Sequence, residues 1–220
     1  MKNVFLSASI PLPERHPKYY ETADVIAIRD AVIALSTLMI PNFRIIWGGH
    51  PSITPLINYV IEQKLKSNLD RIDKWERLTE EEKLQLEIKL KNNIQKHVVL
   101  YQSLFFKDKF IDDINKFENV KFTENTGDIH SSIQHMRMRM FKEYDYSAAI
   151  FIGGMDGIEV EFNMFRELHP DALLLPVAST GAASKIVYDT LLPEKFLNDR
   201  LINDYGYMSM FQKLLIDKIK

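Results

Sequence analysis

Two glycine pairs each follow an apolar run that is typical of a buried strand. Gly48-Gly49 comes after Phe43 to Trp47, and Gly153-Gly154 comes after Ala148 to Ile152. In an open parallel α/β sheet, ligands bind beyond the carboxyl ends of the strands, and the helix that follows presents backbone N–H groups to an anion. The two turns therefore predict a phosphate or nucleotide site, although glycines that only make tight turns are the alternative.

Residue types that can hold phosphate and sugar groups surround these turns. The hydroxyls of Ser52 and Thr54 can donate to a phosphate or cap the next helix, and Ser179 and Thr180 at a third turn leave the same choice open. The other candidate ligand-binding residues of the turns are His50, Met155, Asp156 and Gly157. Neither turn has a G-x-G-x-x-G or Walker pattern, which disfavours a dehydrogenase or a P-loop NTPase.

Charged residues near the turns are candidates for chemistry on a ribose. Glu159 and Glu161 fall in the first turns of a helix, where the helix dipole alone favours acids. A carboxylate there could also bind ribose hydroxyls or stabilise an oxocarbenium ion. Arg137 and Arg139 lie in a predicted helix from Asp128 to Tyr144. They are about 200° apart on an ideal helix, so only one can reach a given site, and the spacing does not decide which.

The elements that would position these residues alternate along the chain. Helical patterns, one of them with Thr22 as its predicted N-cap and running to Met39, separate the apolar runs. This alternation predicts βαβ units and a three-layer, Rossmann-like α/β fold, with a parallel sheet flanked by helices, in a single domain over residues 1–220. The predicted strands are Val4–Ser7, Phe43–Trp47, Val98–Tyr101, Val120–Thr123, Ala148–Ile152 and Ala172–Val177.

A charged segment, residues 67–96, interrupts this pattern and predicts a helical insertion, a hairpin either inserted into the main fold or extended from it. Thr79 to Glu82 has the pattern of a capping box, and Leu84, Ile88 and Trp75 would supply an apolar stripe. A solvated helix pair, an oligomer contact and a lid are the alternatives. Further helices are predicted over residues 194–220.

Composition excludes several classes of protein. The 220 residues include no cysteine, which rules out disulfides and thiolate metal sites, and no other metal site or cofactor is expected. With 28 basic and 30 acidic residues, the net charge of −2 offers no basic face for nucleic acid. The apolar start is too short for a signal peptide, and no apolar run approaches the length of a membrane span. A soluble, cytoplasmic protein is therefore expected.

The order of the motifs resembles the SLOG superfamily, which groups the Smf/DprA proteins with the lonely-guy (LOG), "lysine decarboxylase-like" proteins. The segments that carry the resemblance are Val4 to Ser9, Ile45 to Gly49, Met136 to Arg139, and Phe151 to Glu161. The resemblance extends to about Ala183, apart from residues 67–96, and looks closest to the branches found with TIR domains in bacterial defence systems.

The resemblance implies roles for particular residues. In the LOG enzymes, Met-x-x-Arg-Lys precedes Pro-Gly-Gly-x-Gly-Thr-x-x-Glu, and the Arg and Glu serve release of the base from nucleoside monophosphates. By that pattern Gly153, Gly154 and Gly157 would hold a phosphate, and Glu161 would be the acid. The Met-x-x-Arg spacing selects Arg139, whereas counting back from Gly153 selects Arg137. Ser7 and Ala8, at the end of the first strand, would also contact the ligand.

Departures from the LOG pattern disfavour catalysis more than binding. Ile152 replaces the Pro, Asp156 is an extra residue, Ile158 replaces the Thr, and Met140 replaces the Lys. The resemblance thus implies a sensor of a nucleotide-derived ligand, such as an ADP-ribose-like compound, that works as a homo-oligomer or through an effector-protein partner. A LOG-type phosphoribohydrolase is the alternative. A DprA-like single-stranded DNA-binding protein is disfavoured by the near-neutral charge.

Overall fold

The computed structural model describes residues 1–14, 17–40 and 42–219. Six parallel strands form one sheet in the order β4-β3-β2-β1-β5-β6. Their bounds are β1 Asn3–Ser9, β2 Arg44–Gly48, β3 Val98–Ser103, β4 Val120–Thr123, β5 Tyr146–Gly153 and β6 Leu173–Val177. The predicted parallel sheet is confirmed, and each predicted strand is present with ends shifted by a few residues at most.

Ten α-helices lie within the described ranges, and they cover both faces of the sheet. Their bounds are α1 Pro17–Tyr20, α2 Val25–Met39, α3 Thr54–Leu69, α4 Glu80–Gln95, α5 Ile129–Glu143, α6 Asp156–Leu168, α7 Ala182–Thr190, α8 Arg200–Asn203, α9 Tyr207–Phe211 and α10 Asp217–Ile219. A π-helical turn, Gln212–Ile216, joins the last two.

Alternation along the strands divides the core into two layers. In β1, Val4 and Leu6 belong to the cluster that packs under α2, α3 and α9, whereas Phe5 belongs to the cluster under α5, α6 and α7. Phe5 stacks on Phe165 with ring centroids 5.6 Å apart and meets Phe141 edge-on at 4.8 Å. Two buried faces explain why the central strands read as continuous apolar runs, and the three-layer α/β fold is confirmed.

The start of α2 differs from the prediction. Asp24, not Thr22, is the N-cap, because the Asp24 side chain accepts a hydrogen bond from Ala27 N at 2.8 Å. The Thr22 hydroxyl instead accepts from Ala182 N at 3.0 Å, and so fixes the start of α7. The threonine serves a helix that is distant in sequence, a contact that no local pattern reveals.

The charged segment 67–96 belongs to a helical hairpin that extends from the main fold, and is not a separate insertion. Helix α3 continues through Ser67 to Leu69, and α4 starts at Glu80, so the two helices that connect β2 to β3 themselves form the hairpin. The capping box at Thr79 is present, with Glu82 N donating to the Thr79 hydroxyl and Thr79 N donating to the Glu82 carboxylate.

The sheet reverses its strand order between β1 and β5. From β1 the chain proceeds to β2, β3 and β4 on one side, and α5 then carries it back to β5 on the other side of β1. Such a switch point opens a crevice beyond the carboxyl ends of the two central strands. Ser7 pairs with Phe151 there, and Ser9 pairs with Gly153.

Candidate functional site

Three side chains from three elements meet at this switch point. The Ser7 hydroxyl, on β1, donates to Glu161 Oε2 at 2.5 Å, and Arg137 Nε, on α5, donates to Glu161 Oε1 at 2.9 Å. Arg137 Nη2 also donates to Gly157 O at 3.4 Å. The Arg137 and Glu161 side chains are only 12% and 17% exposed. The structure thus brings together four of the predicted residues: Ser7, Arg137, Gly157 and Glu161.

Packing of α5 decides which arginine enters this group. Met136 and Met140 are buried against the sheet, and Arg137 and Arg139 flank this stripe on opposite sides. Arg137 projects toward α6, whereas Arg139 Nη1 donates to Phe122 O of the edge strand β4 at 3.1 Å and its Nε lies 3.7 Å from Glu143. Arg139 therefore lies outside the group around Glu161.

The second acid of α6 belongs to a different contact. Tyr19, on α1, donates to Glu159 Oε1 at 2.5 Å, and Lys18 Nζ lies 3.9 Å from the same oxygen. Burial, with the hydrogen bond to Glu159, raises the pKa of Tyr19 above its usual value, so the phenol keeps its proton and donates it. Glu159 fastens α1 to α6, and Glu161 alone faces the crevice.

Three of the four paired glycines donate their backbone N–H groups to hydrogen bonds within the protein. Gly153 N donates to the Thr180 hydroxyl at 2.9 Å, and Gly154 N donates to Ser9 O at 2.8 Å. Gly49 N donates to Tyr101 O at 2.8 Å. These three N–H groups are not available to a phosphate, so tight packing of turn against strand accounts for these glycines. Gly48 lies against Met136, whose Cε would be 3.1 Å from an added Cβ.

Two predicted ligand hydroxyls are interior groups. Thr54 is fully buried and accepts from Trp47 Nε1 at 3.4 Å. Thr180 is also fully buried, donates to Val177 O at 2.6 Å and lies 3.0 Å from the Ser184 hydroxyl. Neither hydroxyl faces the crevice. The N-cap of α3 is Ile53, which makes no side-chain cap, so Thr54 does not cap that helix either.

The remaining candidates line the edge of the crevice or the core beside it. Ser52 Oγ accepts from Ile10 N at 3.2 Å and lies 2.8 Å from His50 Nδ1, which ties the turn after β2 to the end of β1. Ala8 faces the α2 layer, opposite to Ser7, and Met155 is buried in the α5–α7 layer. Met155 is the N-cap of α6 but makes no side-chain cap, and Asp156 begins the helix.

Sequence reasoning missed Gln102, at the carboxyl end of β3. Its side chain lies over Gly49, where an added Cβ would be 1.9 Å from Gln102 Nε2. Gln102 is 8% exposed and its backbone is paired in the sheet, and its side-chain amide is not one of the fully buried polar groups that lack a partner among the described residues. The position of this amide over Gly49, at the carboxyl edge of the sheet, makes Gln102 a candidate for ligand contact. The sequence alone does not show that Gln102 lies beside Gly49. The parallel register shows it, because Gly48 pairs with Tyr101 and Gln102 is the next residue of β3.

Two surface cavities of the described chain lie elsewhere, and neither is lined by the residues around Glu161. Cavities of about 540 Å³ and 330 Å³ lie at the α3–α4 hairpin and at the amino ends of β2 to β4, away from Glu161. Among residues 1–14, 17–40 and 42–219, no cluster of three His, Asp or Glu side chains could hold a metal ion. None of the helices described is both long enough and apolar enough to span a bilayer.

Fold and site together define a Rossmann-like α/β protein with a nearly buried arginine–glutamate pair at its switch point. The chain belongs to the SLOG cluster3 family, whose model matches residues 18–76 and 84–215. The gap in this match, residues 77–83, spans the start of α4 and is shorter than the segment 67–96 that the sequence sets apart. No curated protein matches the chain. Membership confirms the SLOG resemblance, and the match includes Arg137 and Glu161 but not Ser7.

Gly157→Ala is expected to separate stability from ligand binding. Gly157 lies in the first turn of α6, where alanine is favoured over glycine by up to about 1 kcal/mol. The added Cβ would lie 3.0 Å from Arg137 Nη2, so the guanidinium must move. We expect an unchanged or higher melting temperature and, for any ligand that contacts Arg137, about a tenfold loss of affinity. Unchanged affinity would show that the position of Arg137 does not matter to binding.

Proposed function

We propose that the chain binds a nucleotide-derived ligand in the crevice between β1 and β5, with Arg137 and Glu161 as its charged contacts. The observation that carries this proposal is the Arg137–Glu161 ion pair, nearly buried at the open edge of the sheet. The attraction within such a pair offsets little more than the free energy needed to remove both charges from water, so the pair adds little to stability. A functional role for the pair is therefore favoured.

The contacts of the pair favour a ligand with both a ribose and an anionic group. Glu161 accepts one hydrogen bond at each carboxylate oxygen, and each oxygen retains a lone pair for a sugar hydroxyl. Arg137 uses Nε and Nη2 within the protein, which leaves Nη1 for a phosphate. The N-terminus of α6, with no side-chain cap at Met155, adds a favourable dipole for the anion.

A sensor role suits this arrangement best. Ser7 and Arg137 hold Glu161 in one orientation, which suits selective binding. Three of the residues that depart from the LOG pattern, Ile152, Asp156 and Ile158, lie at or just before the start of α6. A sensor of this kind would act on an effector protein, as the defence-associated SLOG branches suggest. The second candidate is a hydrolase that releases the base of a nucleoside monophosphate. The arginine–glutamate pair favours it, since a carboxylate beside the ribose can stabilise an oxocarbenium ion.

Incubation with a panel of nucleotides tests both candidates. The panel contains nucleoside monophosphates, ADP-ribose, cyclic ADP-ribose isomers and NAD, and mass spectrometry follows both the filtrate after ultrafiltration and the compounds released on denaturation. A compound that is retained and recovered intact supports the sensor, whereas a free base in the filtrate supports the hydrolase. If no compound is retained or cleaved, the proposed site is wrong.

Glu161→Gln separates the candidates further. The amide keeps the shape of the side chain, its oxygen can accept from Arg137 Nε and its NH2 group can donate to the Ser7 hydroxyl, but it loses the negative charge. A sensor should bind the retained compound within about tenfold of the wild-type affinity. A hydrolase should lose at least about 100-fold in turnover, because the transition-state charge is no longer balanced. Calorimetry and single-turnover product formation measure the two outcomes.

A further inference from the structure

Helix α4 has two apolar stripes, and the protein covers only one of them. Leu86 and Leu90 are half-buried and Ile94 is buried. Leu84 and Ile88, which are four residues apart and therefore on one face, are 56% and 45% exposed. The sequence suggested that they stabilise a helical hairpin, but the structure leaves them in solvent.

The exposed stripe has the spacing of a coiled-coil seam. Glu81, Leu84, Ile88 and Lys91 follow one another at intervals of three, four and three residues, which are the a and d positions of a heptad. All four are exposed, and within the described part of the chain neither Glu81 nor Lys91 forms an ion pair. An apolar pair is thus flanked by an acid on one side and a base on the other.

This order of residues is complementary to itself only when two copies run antiparallel. Position a of one helix then faces position d of the other, so that Leu84 packs on Ile88 of the second copy and Glu81 meets Lys91 of the second copy. Each contact occurs twice, as a two-fold axis requires. A parallel pair would instead place the two Glu81 carboxylates together and the two Lys91 ammonium groups together, which costs free energy.

Helix electrostatics alone does not account for the stripe. The helix dipole favours acids near the N-terminus and bases near the C-terminus of α4. Two of the N-terminal acids also have local partners, since Glu80 forms an ion pair with Lys83 and Glu82 belongs to the capping box. The dipole gives no reason for two large aliphatic side chains in solvent between Glu81 and Lys91. Burial of those side chains against a partner would supply that reason.

We propose that α4 is a self-association surface on which two copies of the chain pair antiparallel through Glu81, Leu84, Ile88 and Lys91. Two apolar layers and two charge layers form a small contact, below the roughly 1,200 Å² of a standard interface. The dimer is therefore weak and reversible. The interface lies on the α3–α4 hairpin and does not involve Arg137 or Glu161. The self-association proposal can therefore be tested independently of the proposed ligand.

Sedimentation equilibrium of the full chain over a wide concentration range provides the first test. We expect the average mass to rise from 25.7 kDa toward twice that value as concentration increases. Ile88→Lys should weaken association by at least about tenfold, since a buried aliphatic group becomes a charge. Val160→Lys is the matched control, because Val160 on α6 is 42% exposed and lies on the other face of the sheet. It should leave the association constant unchanged.

Charge reversal tests the antiparallel register. Glu81→Lys and Lys91→Glu should each weaken association by about tenfold, because each places like charges opposite one another twice. The double variant restores opposite charges and should return association to within about threefold of wild type. Circular dichroism confirms that every variant is folded. A wild-type chain that stays monomeric, a double variant no better than the single ones, or a Val160→Lys effect as large as that of Ile88→Lys would each overturn the proposal.

Discussion

Arg137→Met is expected to lower affinity for the crevice ligand by about 100-fold. The substitution removes the charge-assisted donor to Glu161 and the remaining guanidinium nitrogen available to a phosphate. It also leaves the Glu161 carboxylate, 17% exposed, without a counter-charge beside an anionic ligand. A compound retained from the nucleotide panel is the probe, and calorimetry measures its dissociation constant.

Arg139→Met is the matched control for this experiment. Arg139 lies two residues further along the same helix and contacts Phe122 O and Glu143 rather than the crevice. Its loss should change affinity by no more than about twofold. Equal losses in the two variants would mean a general effect of positive charge on α5, and a larger loss for Arg139→Met would place the ligand at the β4 edge instead.

The choice between these arginines shows a limit of sequence reasoning. Met136 and Met140 mark the buried face of α5, and one arginine lies about 80° to each side of the centre of that face. By sequence the two positions are therefore equivalent. What distinguishes them is that α6 packs on one side of α5 and β4 lies on the other, a consequence of the crossover from β4 back to β5.

The glycine turns were placed correctly, but their hydrogen bonds could not be predicted. Strand patterns fix the positions of Gly49, Gly153 and Gly154 at the carboxyl edge, and the parallel sheet follows from the alternation of strands and helices. The partner of Gly153 N is Thr180, 27 residues away, and the partner of Gly154 N is Ser9 O. Such partners depend on how β1, β5 and β6 meet, which local sequence does not encode.

Helix α4 illustrates the same limit for apolar patterns. Apolar residues at two sets of positions give both faces of the helix a hydrophobic stripe, so periodicity predicts a helix without predicting which stripe is covered. The structure leaves Leu84 and Ile88 exposed. The stripe that carries the self-association proposal is thus visible only once the fold is known.

Gly181→Ala is expected to be the most destabilising single substitution considered. Gly181 joins β6 to α7 with φ +69° and ψ −154°, a conformation open almost only to glycine. An added Cβ would lie 1.7 Å from Thr22 O, a backbone atom that cannot rotate away. Ala182 beside it already has φ +55°, so the turn has little freedom to adjust. We expect a loss of about 4 kcal/mol or more in the free energy of unfolding, measured by urea denaturation.

Gly127→Ala separates the collision from the backbone conformation. Gly127 also has positive φ, +104°, but no atom lies within 4 Å of its added Cβ. This variant should therefore lose only the cost of the unfavourable conformation, about 1–2 kcal/mol. The excess loss at Gly181 measures the collision of the added Cβ with Thr22 O, together with the difference between the two backbone conformations. Two hydrogen bonds, from Ala182 N to the Thr22 hydroxyl and from Asp24 N to Thr180 O, indicate that the turn at Gly181 is rigid. Equal losses in the two variants would contradict this, because the turn would then have moved to relieve the collision.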